Sequence, residues 1–265
     1  MSPLLQAINL TKRFGGLTAV DGVSLDVDAG EVVGLVGDNG AGKSTFIKMI
    51  SGVYQPDDGE LYFDGRPVAL GSARLARELG IETIYQDLAL AENLDVGANI
   101  FLGREVKRRY LGGLVSTLDT RKMLQESAGV LARLDIQVPS LTQRIRFLSG
   151  GQRQAVAIAR SIYWNARLVI MDEPTAALGV AEQRKVLTLV RTLSDQGVPV
   201  IIISHNMQDV FAVADRIVVM RRGKMVGERL SKQSTVDEIV SLMVGAEAVH
   251  EMGVIPRAIA NGHAA

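Results

Sequence analysis

Short runs of aliphatic residues alternate along the chain with helical patterns and glycine-rich turns. The four clearest runs cover residues 31–36, 81–85, 168–171 and 198–204. Each run has the length of a strand and is followed by polar or glycine-rich residues. This alternation predicts an α/β protein whose main sheet is largely parallel. Because ligands bind at the carboxyl ends of strands in such sheets, we expect the residues that follow these runs to converge.

The chain also contains segments of two other kinds. Residues 4–10, 19–27 and 59–63 alternate apolar and polar positions, which predicts a small antiparallel β layer beside the main sheet. Helical patterns fill residues 92–148, so we expect a helical subdomain at about 88–160, inserted into a domain of residues 1–245. Residues 246–265 have no convincing period, which predicts a poorly ordered tail.

Composition narrows the class of protein. The 265 residues include no Cys, which excludes a disulfide scaffold. The 29 Lys and Arg balance the 29 Asp and Glu, so the net charge gives no reason to expect nucleic-acid binding. The longest aliphatic runs fall far short of the ~20 residues that span a bilayer. The N-terminus lacks the pattern of an export signal, so the cytoplasm is the expected compartment.

A glycine-rich motif follows the first buried run. The motif and the start of the next helix comprise Gly37, Asp38, Asn39, Gly40, Ala41, Gly42, Lys43, Ser44 and Thr45. The first eight residues fit G-x-x-x-x-G-K-[ST], in which backbone N–H groups and the helix N-terminus bind phosphate. In that motif Lys43 reaches the β- and γ-phosphates of a nucleotide, and the Ser44 hydroxyl binds Mg²⁺. The motif alone leaves kinases, GTPases, helicases and transport ATPases open.

Two adjacent carboxylates follow another buried run. Asp172 and Glu173 come directly after residues 168–171. At the end of such a strand one carboxylate can hold Mg²⁺, while the other polarises a water molecule. We expect Asp172 to be the metal ligand and Glu173 to be the general base.

A second anion-binding helix start is predicted from the segment Leu148, Ser149, Gly150, Gly151 and Gln152. Apolar residues follow with helical spacing, so we expect Ser149 to be the N-cap. The two glycines leave the first-turn N–H groups free to meet an anion. With this segment the chain resembles the ATP-binding cassette (ABC) family, whose signature LSGGQ lies just upstream of the aspartate strand.

The resemblance covers roughly residues 4–245 and implies an α/β fold with a P-loop NTPase (RecA-like) core. A mainly parallel sheet, a small N-terminal antiparallel β layer and a helical insertion belong to that fold. The resemblance also implies that Phe14 stacks on adenine, that Gln86 contacts Mg²⁺ and water, and that His205 contacts the γ-phosphate. Two subunits of the family meet head to tail, so the segment 148–152 of one chain is expected to bind the ATP of the other.

One position departs from the family pattern. After Pro174 and Thr175, most members have an aspartate in a loop that communicates between two ATP sites, whereas this chain has Gly179. Signalling between the two sites is therefore expected to differ. Residues 80–90 and the sequence Ala-Ala-Leu-Gly at 176–179 resemble the sugar-importing branch of the family, in its short single-cassette form of fructose or ribose type.

The resemblance implies an ATPase subunit that uses ATP and Mg²⁺ to power import of a monosaccharide such as fructose or ribose. The implied partners are a second ATPase subunit, transmembrane permease subunits and, indirectly, a solute-binding protein, with no nucleic acid. The implied location is peripheral, on the cytoplasmic side of the cell membrane. We expect residues 86–102, with the apolar series Leu88, Leu90, Leu94, Val96, Ile100 and Phe101, to border a groove for a permease helix.

Other functions stay open at this point. One alternative is an exporter, since export subunits share every motif; a regulator of an importer and an ATPase subunit for another solute are two more. A soluble cassette ATPase acting on DNA or ribosomes is disfavoured, because only 62 positions separate Gln86 from Leu148, too few for a long coiled-coil arm. A nucleotide kinase or GTPase has no use for LSGGQ. The basic run at 104–109 is expected to be a solvated helical face or loop, with contact to lipid or permease as the alternative.

Overall fold

The computed structural model describes residues 3–110 and 115–245, so the predicted tail at 246–265 lies outside the described residues. The strands are β1 (Leu5–Phe14), β2 (Leu17–Val27), β3 (Val32–Val36), β4 (Asp58–Phe63), β5 (Arg66–Pro67), β6 (Ile81–Ile84), β7 (Lys107–Tyr110), β8 (Val115–Leu118), β9 (Leu168–Asp172), β10 (Val200–Ile203), β11 (Arg216–Arg221) and β12 (Lys224–Leu230). The helices are α1 (Lys43–Ile50), α2 (Ala73–Glu78), α3 (Val96–Ile100), α4 (Thr120–Arg133), α5 (Gly150–Tyr163), α6 (Val180–Asp195), α7 (Met207–Val213) and α8 (Val236–Val244).

The main sheet has the strand order β12-β11-β3-β10-β9-β6. All neighbouring pairs are parallel except β11 with β12. The four aliphatic runs form β3, β6, β9 and β10, which confirms the predicted α/β class and its mainly parallel sheet. Strands β11 and β12 were not among the predicted strands. Strand β11 has an arginine at each end, around the apolar residues 217–220.

Both faces of the main sheet are covered, which explains why β3, β9 and β10 read as continuous apolar runs. Val33 and Leu35 of β3 belong to a core that also contains buried residues of β1, β2, β4 and α1. Val32 and Val36 of the same strand belong to a second core, with buried residues of α5, α6 and α7. The main sheet therefore packs between the antiparallel layer with α1 on one face and α5, α6 and α7 on the other.

The N-terminal segments form the predicted antiparallel layer. Its strand order is β2-β1-β4-β5, and Leu5 of β1 is paired with Val27 on one side and Phe63 on the other. Leu5, Val27 and Phe63 are buried, while alternate positions such as Asp26 are exposed. This period of two is the pattern from which the layer was predicted.

Helix α4 lies within residues 92–148, where helical patterns were predicted. Its N-cap Asp119 accepts a hydrogen bond from the Lys122 N–H at 3.1 Å. Three members of the apolar series in residues 86–102, namely Val96, Ile100 and Phe101, do not line the surface at which the permease groove was predicted. Their side chains are fully buried, because α3 packs against α4 and α5.

The basic run was predicted to be a helical face or a loop, and this was wrong for its C-terminal part. Residues 107–110 form β7, which pairs antiparallel with β8. This pairing gives backbone hydrogen bonds to a segment in which Lys107 and Arg108 are exposed. Arg104, at the start of the run, lies 4.6 Å from the Trp164 ring centroid and 3.8 Å from Glu82.

Within residues 3–110 and 115–245, no helix combines the length and the apolar character needed to cross a bilayer.

Gly179 occupies the N-cap of α6 with φ −68° and ψ 157°, a conformation open to any residue. It supplies no side-chain hydrogen bond, and a Cβ at this position would have no atom within 4 Å. The glycine is therefore not required by the backbone or by packing.

We predict that Gly179→Asp stabilises the protein. An aspartate N-cap accepts a hydrogen bond from a first-turn N–H and interacts favourably with the helix dipole, together about 0.5–1 kcal/mol. Thermal unfolding should show a Tm about 1–3 °C higher than that of wild type. Gly179→Ala is the matched control, since it adds a Cβ without an acceptor, and an aspartate variant no more stable than this control would contradict the assignment.

Candidate active site

The loop between β3 and α1 lets the backbone approach its neighbours closely. Gly37 and Gly42 have φ values of 150° and 101°, which disfavour a side chain. A Cβ would lie 2.2 Å from the Met220 carbonyl oxygen at the first position and 2.5 Å from the Ala19 carbonyl oxygen at the second. Gly42 is the N-cap of α1 and makes no side-chain hydrogen bond, so the N–H groups at the helix start are available to an anion.

The turn between β11 and β12 anchors the same loop. The Gly223 N–H donates to the Ala41 carbonyl oxygen at 2.9 Å, and the Asp21 N–H donates to the Gly223 carbonyl oxygen at 2.8 Å. Strand β2, the turn and the loop thus form one hydrogen-bonded unit. Sequence reasoning missed this support because it did not predict β11 and β12.

Lys43 begins α1 and turns its side chain over the loop. Its ammonium donates to the carbonyl oxygens of Gly37 at 2.5 Å and Asp38 at 3.0 Å. Burial lowers the pKa of Lys43, while the charges of Glu173, Asp38 and Asp172 raise it. The predicted phosphate-binding lysine and the predicted pair of carboxylates therefore lie within electrostatic reach of one another.

The other residues of the loop differ in their exposure to solvent. Asp38, Asn39, Gly40 and Ser44 are exposed, Thr45 is half-buried and Ala41 is buried.

The two carboxylates occupy different backbone conformations. Asp172 is the last residue of β9, whereas Glu173 has φ 51°, an uncommon value for a residue with a side chain. The Glu173 N–H donates to the Ile203 carbonyl oxygen at 2.8 Å, which holds this turn against β10. Burial and the charge of Glu173 raise the pKa of Asp172, and Lys43 and Lys48 oppose that shift. The turn places both carboxylates near Lys43.

His205 lies beside Glu173. The His205 backbone N–H donates to Glu173 Oε1 at 3.0 Å, and its ring Nδ1 lies 2.8 Å from Glu173 Oε2. The imidazole is 78% exposed whereas the Glu173 side chain is 18% exposed, so the ring lies on the open side of the pair. Parallel pairing of β9 with β10, in which Asp172 is opposite Ile203, brings these two loops together.

The segment 148–152 begins α5 as predicted from its sequence. Gln152 N–H donates to Ser149 Oγ at 3.3 Å and Ser149 N–H donates to Gln152 Oε1 at 3.0 Å, forming a capping box. A Cβ on Gly150 would lie 2.7 Å from Leu178 Cδ2, and one on Gly151 would lie 2.9 Å from the Glu182 Cβ. Leu148 is buried. The glycines thus also allow α5 to pack closely on the start of α6.

The structure does not join this segment to the phosphate-binding loop. Over residues 3–110 and 115–245, no hydrogen bond connects 148–152 with 37–45. Gly150 instead lines a cleft of about 280 Å³ with Gln86, Glu173 and Leu178. Gln86 is exposed at the end of β6, where it borders the same cleft as the predicted base.

Arg160 holds the segment that follows Gln86, and sequence reasoning missed it. Its guanidinium donates to the carbonyl oxygens of Ala89 at 2.9 Å and Leu88 at 3.0 Å. Burial lowers the pKa of Arg160, and the neighbouring Glu82 raises it. Arg160 lies on α5, so the helix that begins with the signature also fixes the Gln86 segment. No pattern in the sequence marks this contact.

Phe14 lies at the end of β1 and is 44% exposed, so it is not a core aromatic. Its ring packs edge-on against Tyr54, with 5.3 Å between the ring centroids. The Lys12 ammonium lies 5.8 Å from the same ring centroid. An exposed ring fixed in this way offers a flat surface to a base.

The oxygen donors at the site suit Mg²⁺. Ser44 offers a hydroxyl, Asp172 a carboxylate and Gln86 an amide oxygen, and Mg²⁺ typically takes one or two carboxylates together with phosphate oxygens and water. In the described part of the chain, no group of three or more His, Asp and Glu side chains forms a ready-made metal cage. The raised pKa of Asp172, caused by burial and by Glu173, is of the kind that a bound cation reverses.

Known proteins share both the sequence and the fold. The profile of the ABC transporter family matches residues 20–176. The xylose/arabinose import ATP-binding protein XylG of Sulfolobus acidocaldarius is 49% identical over 243 residues, which are 92% of this chain and 94% of that protein. The fructose import ATP-binding protein FrcA of Rhizobium meliloti is 44% identical over 92% of this chain and 95% of its own length.

A ribose import ATP-binding protein, RbsA 1 of Rubrobacter xylanophilus, is 45% identical over 92% of this chain but only 48% of its own length. Among solved structures, a nucleotide-free ATP-binding cassette from an ABC transporter aligns with TM-score 0.77 and 26% identity, covering 93% of this chain and 97% of that one. The ADP conformation of the cassette MJ1267 aligns with TM-score 0.77 and 25% identity, covering 96% and 100%. The chain belongs to the ABC transporter family, with the fold of its ATP-binding cassettes.

Proposed function

We propose that this protein is the ATP-hydrolysing subunit of a membrane importer for a monosaccharide. The observation that carries the proposal is the convergence of three loops at one edge of the parallel sheet. Lys43 follows β3, Glu173 follows β9 and His205 follows β10, and the lysine interacts electrostatically with the carboxylates while the histidine contacts Glu173. This set of groups serves phosphoryl transfer to water.

Nucleotide binding is assigned to the exposed aromatic ring and the phosphate loop. Phe14 offers its face to adenine, and the N–H groups of residues 37–45 meet the phosphates. Lys43 then exchanges its two carbonyl partners for β- and γ-phosphate oxygens, which carry more charge. Mg²⁺, when held by Ser44, Asp172 and Gln86, supplies charge neutralisation at the phosphates.

Glu173 is assigned the role of general base. One of its carboxylate oxygens is held by the His205 N–H and the other by the His205 ring, which fixes its orientation. The carboxylate orients a water molecule and accepts its proton as the water attacks the γ-phosphorus. The exposed face of His205 is free to contact the γ-phosphate.

We assign residues 148–152 to the ATP held by a second subunit. Each motif occurs once in this chain, and the described hydrogen bonds do not join the signature segment to the phosphate loop. In a head-to-tail pair, the start of α5 would present its N–H groups to the partner's phosphates. ATP then closes the pair and hydrolysis reopens it.

The solute and the remaining partners are inferred from relatives. The similar proteins are named for the import of xylose or arabinose, fructose and ribose, which favours a pentose or hexose as the solute. Permease subunits and a solute-binding protein complete such an importer. We place the subunit peripherally, on the cytoplasmic face of the membrane where ATP is available.

Contact with the permease is assigned to the exposed part of residues 86–102. Ala89 and Leu102 line a cleft of about 420 Å³ together with Tyr85, Arg104 and Trp164. Gln86 lines a different cleft, the one that contains Glu173, so residues 85–90 border both clefts. The segment is therefore placed to relay permease movement to the site.

We predict that Lys43→Ala abolishes ATP hydrolysis, because alanine removes the charge that meets the β- and γ-phosphates. Binding of ATP should weaken by at least 10-fold, since a charge-assisted hydrogen bond is worth about 1.5–3 kcal/mol. Phosphate release and fluorescent-nucleotide titration measure the two effects. Lys185→Ala, which removes an exposed lysine from α6, is the control, and unchanged turnover in Lys43→Ala would contradict the assignment.

We predict a different defect for Glu173→Gln, which keeps the size of the side chain but removes the base. ATP binding should persist, while turnover falls by about 10²–10⁴-fold. Since hydrolysis reopens the pair, this variant should accumulate as an ATP-bound dimer, measured as doubled mass by light scattering with Mg²⁺-ATP. Near-normal turnover would assign the base elsewhere, and lost turnover without dimers would contradict the shared site.

A further inference from the structure

Within the described ranges, 3–110 and 115–245, Asp209 is the only ionisable residue that is buried. It lies in the first turn of α7, with 6% exposure. Its Oδ2 accepts a hydrogen bond from Thr175 Oγ1 at 2.6 Å, and Thr175 is 3% exposed. A carboxyl group so deeply buried costs free energy unless it is hydrogen-bonded, so Asp209 depends on this partner.

The bond joins the loop that carries Glu173 to helix α7, which begins directly after the His205 loop. Thr175 follows Glu173 by two positions, and Asp209 follows His205 by four. Glu173 itself contacts Ile203, Ser204 and His205, at a place that is partly open to solvent. The bond between Thr175 and Asp209 is a further cross-link, and it is buried.

The backbone conformation near Glu173 explains why the buried bond between Thr175 and Asp209 matters for the shape of this loop. Glu173 and Ala177 have φ values of 51° and 59°, so the loop between β9 and α6 adopts conformations that residues with side chains disfavour. Besides the side-chain bond to Asp209, Thr175 is held through its carbonyl oxygen, which accepts from the Leu178 N–H at 3.3 Å. A loop with unfavourable φ values keeps its shape only when the surrounding contacts define it.

We propose that Thr175 and Asp209 are positioning residues for hydrolysis, which hold the Glu173 loop in register with the His205 loop. This inference rests on the proposed function. Neither side chain touches the nucleotide site directly. The buried bond fixes the distance between the two loops, and Glu173 keeps its orientation toward water because the loops cannot separate.

Thr175→Val tests the proposal, because valine keeps the shape of threonine and removes the hydroxyl. The expected result is a kcat for ATP hydrolysis at least 10-fold lower, with KM for ATP within about threefold of wild type, since misplacement of a catalytic group acts on the chemical step. Thr175→Ser keeps the hydroxyl and should restore kcat to within about threefold of wild type. Equal losses in the valine and serine variants would overturn the proposal.

Ser194→Ala is the matched control for loss of a buried hydroxyl. Ser194 Oγ donates to the Gly30 carbonyl oxygen at 2.6 Å, Ser194 is 7% exposed, and the bond joins α6 to the start of β3 away from Glu173. Its kcat should stay near that of wild type even where Tm falls. A kcat loss in Ser194→Ala that matches the loss in Thr175→Val would reduce Thr175 to a structural role and overturn the proposal.

A second readout does not need ATP. The chain has three histidines, so the His205 ring signal can be identified in NMR spectra by its absence in His205→Ala. It should shift in Thr175→Val and stay in place in Ser194→Ala. An unmoved signal in Thr175→Val would overturn the proposal. Wild-type protein without ATPase activity would instead refute the proposed function, which separates the two failures.

Discussion

Parallel pairing of β3, β10 and β9 is the constraint on which the site depends. In this register Val200 lies opposite both Val32 and Val169, and Ile203 lies opposite both Leu35 and Asp172. The three strands therefore end at one edge, and the residues after them meet there although they are far apart in sequence. Pairing of this kind is possible because apolar side chains cover both faces of the sheet.

The loops at this edge adopt conformations that extended or helical backbone cannot supply. Gly37 and Gly42 allow the phosphate loop to approach the carbonyl oxygens of Met220 and Ala19. At Glu173 the positive φ costs on the order of 1–3 kcal/mol and is retained because β10 accepts its N–H. The well-packed sheet thus stabilises unfavourable local geometry, and that geometry gives the carboxylates their position near Lys43.

The sequence predicted those parts of the molecule that depend on local pattern. The buried strands appear as aliphatic runs, and Lys43, Asp172 and Glu173 were found because they follow such runs. Contacts set by tertiary packing were not predictable, among them the hold of Arg160 on residues 88 and 89 and the bond from Thr175 to Asp209. The burial of Val96, Ile100 and Phe101 was not predictable for the same reason, since periodicity does not say against which helix an apolar residue packs.

The central claim is that a complete site needs two chains, and mixing two inactive variants tests it most directly. Lys43→Ala disables the phosphate loop, whereas Ser149→Asp keeps a good N-cap and places negative charge where the partner's phosphate is proposed to bind. Each variant alone should be inactive, and an equal mixture should regain up to about a quarter of wild-type ATPase, because half of the random pairs contain one intact site. A mixture that forms hybrid dimers yet stays inactive would contradict the claim, as would full activity of Ser149→Asp alone.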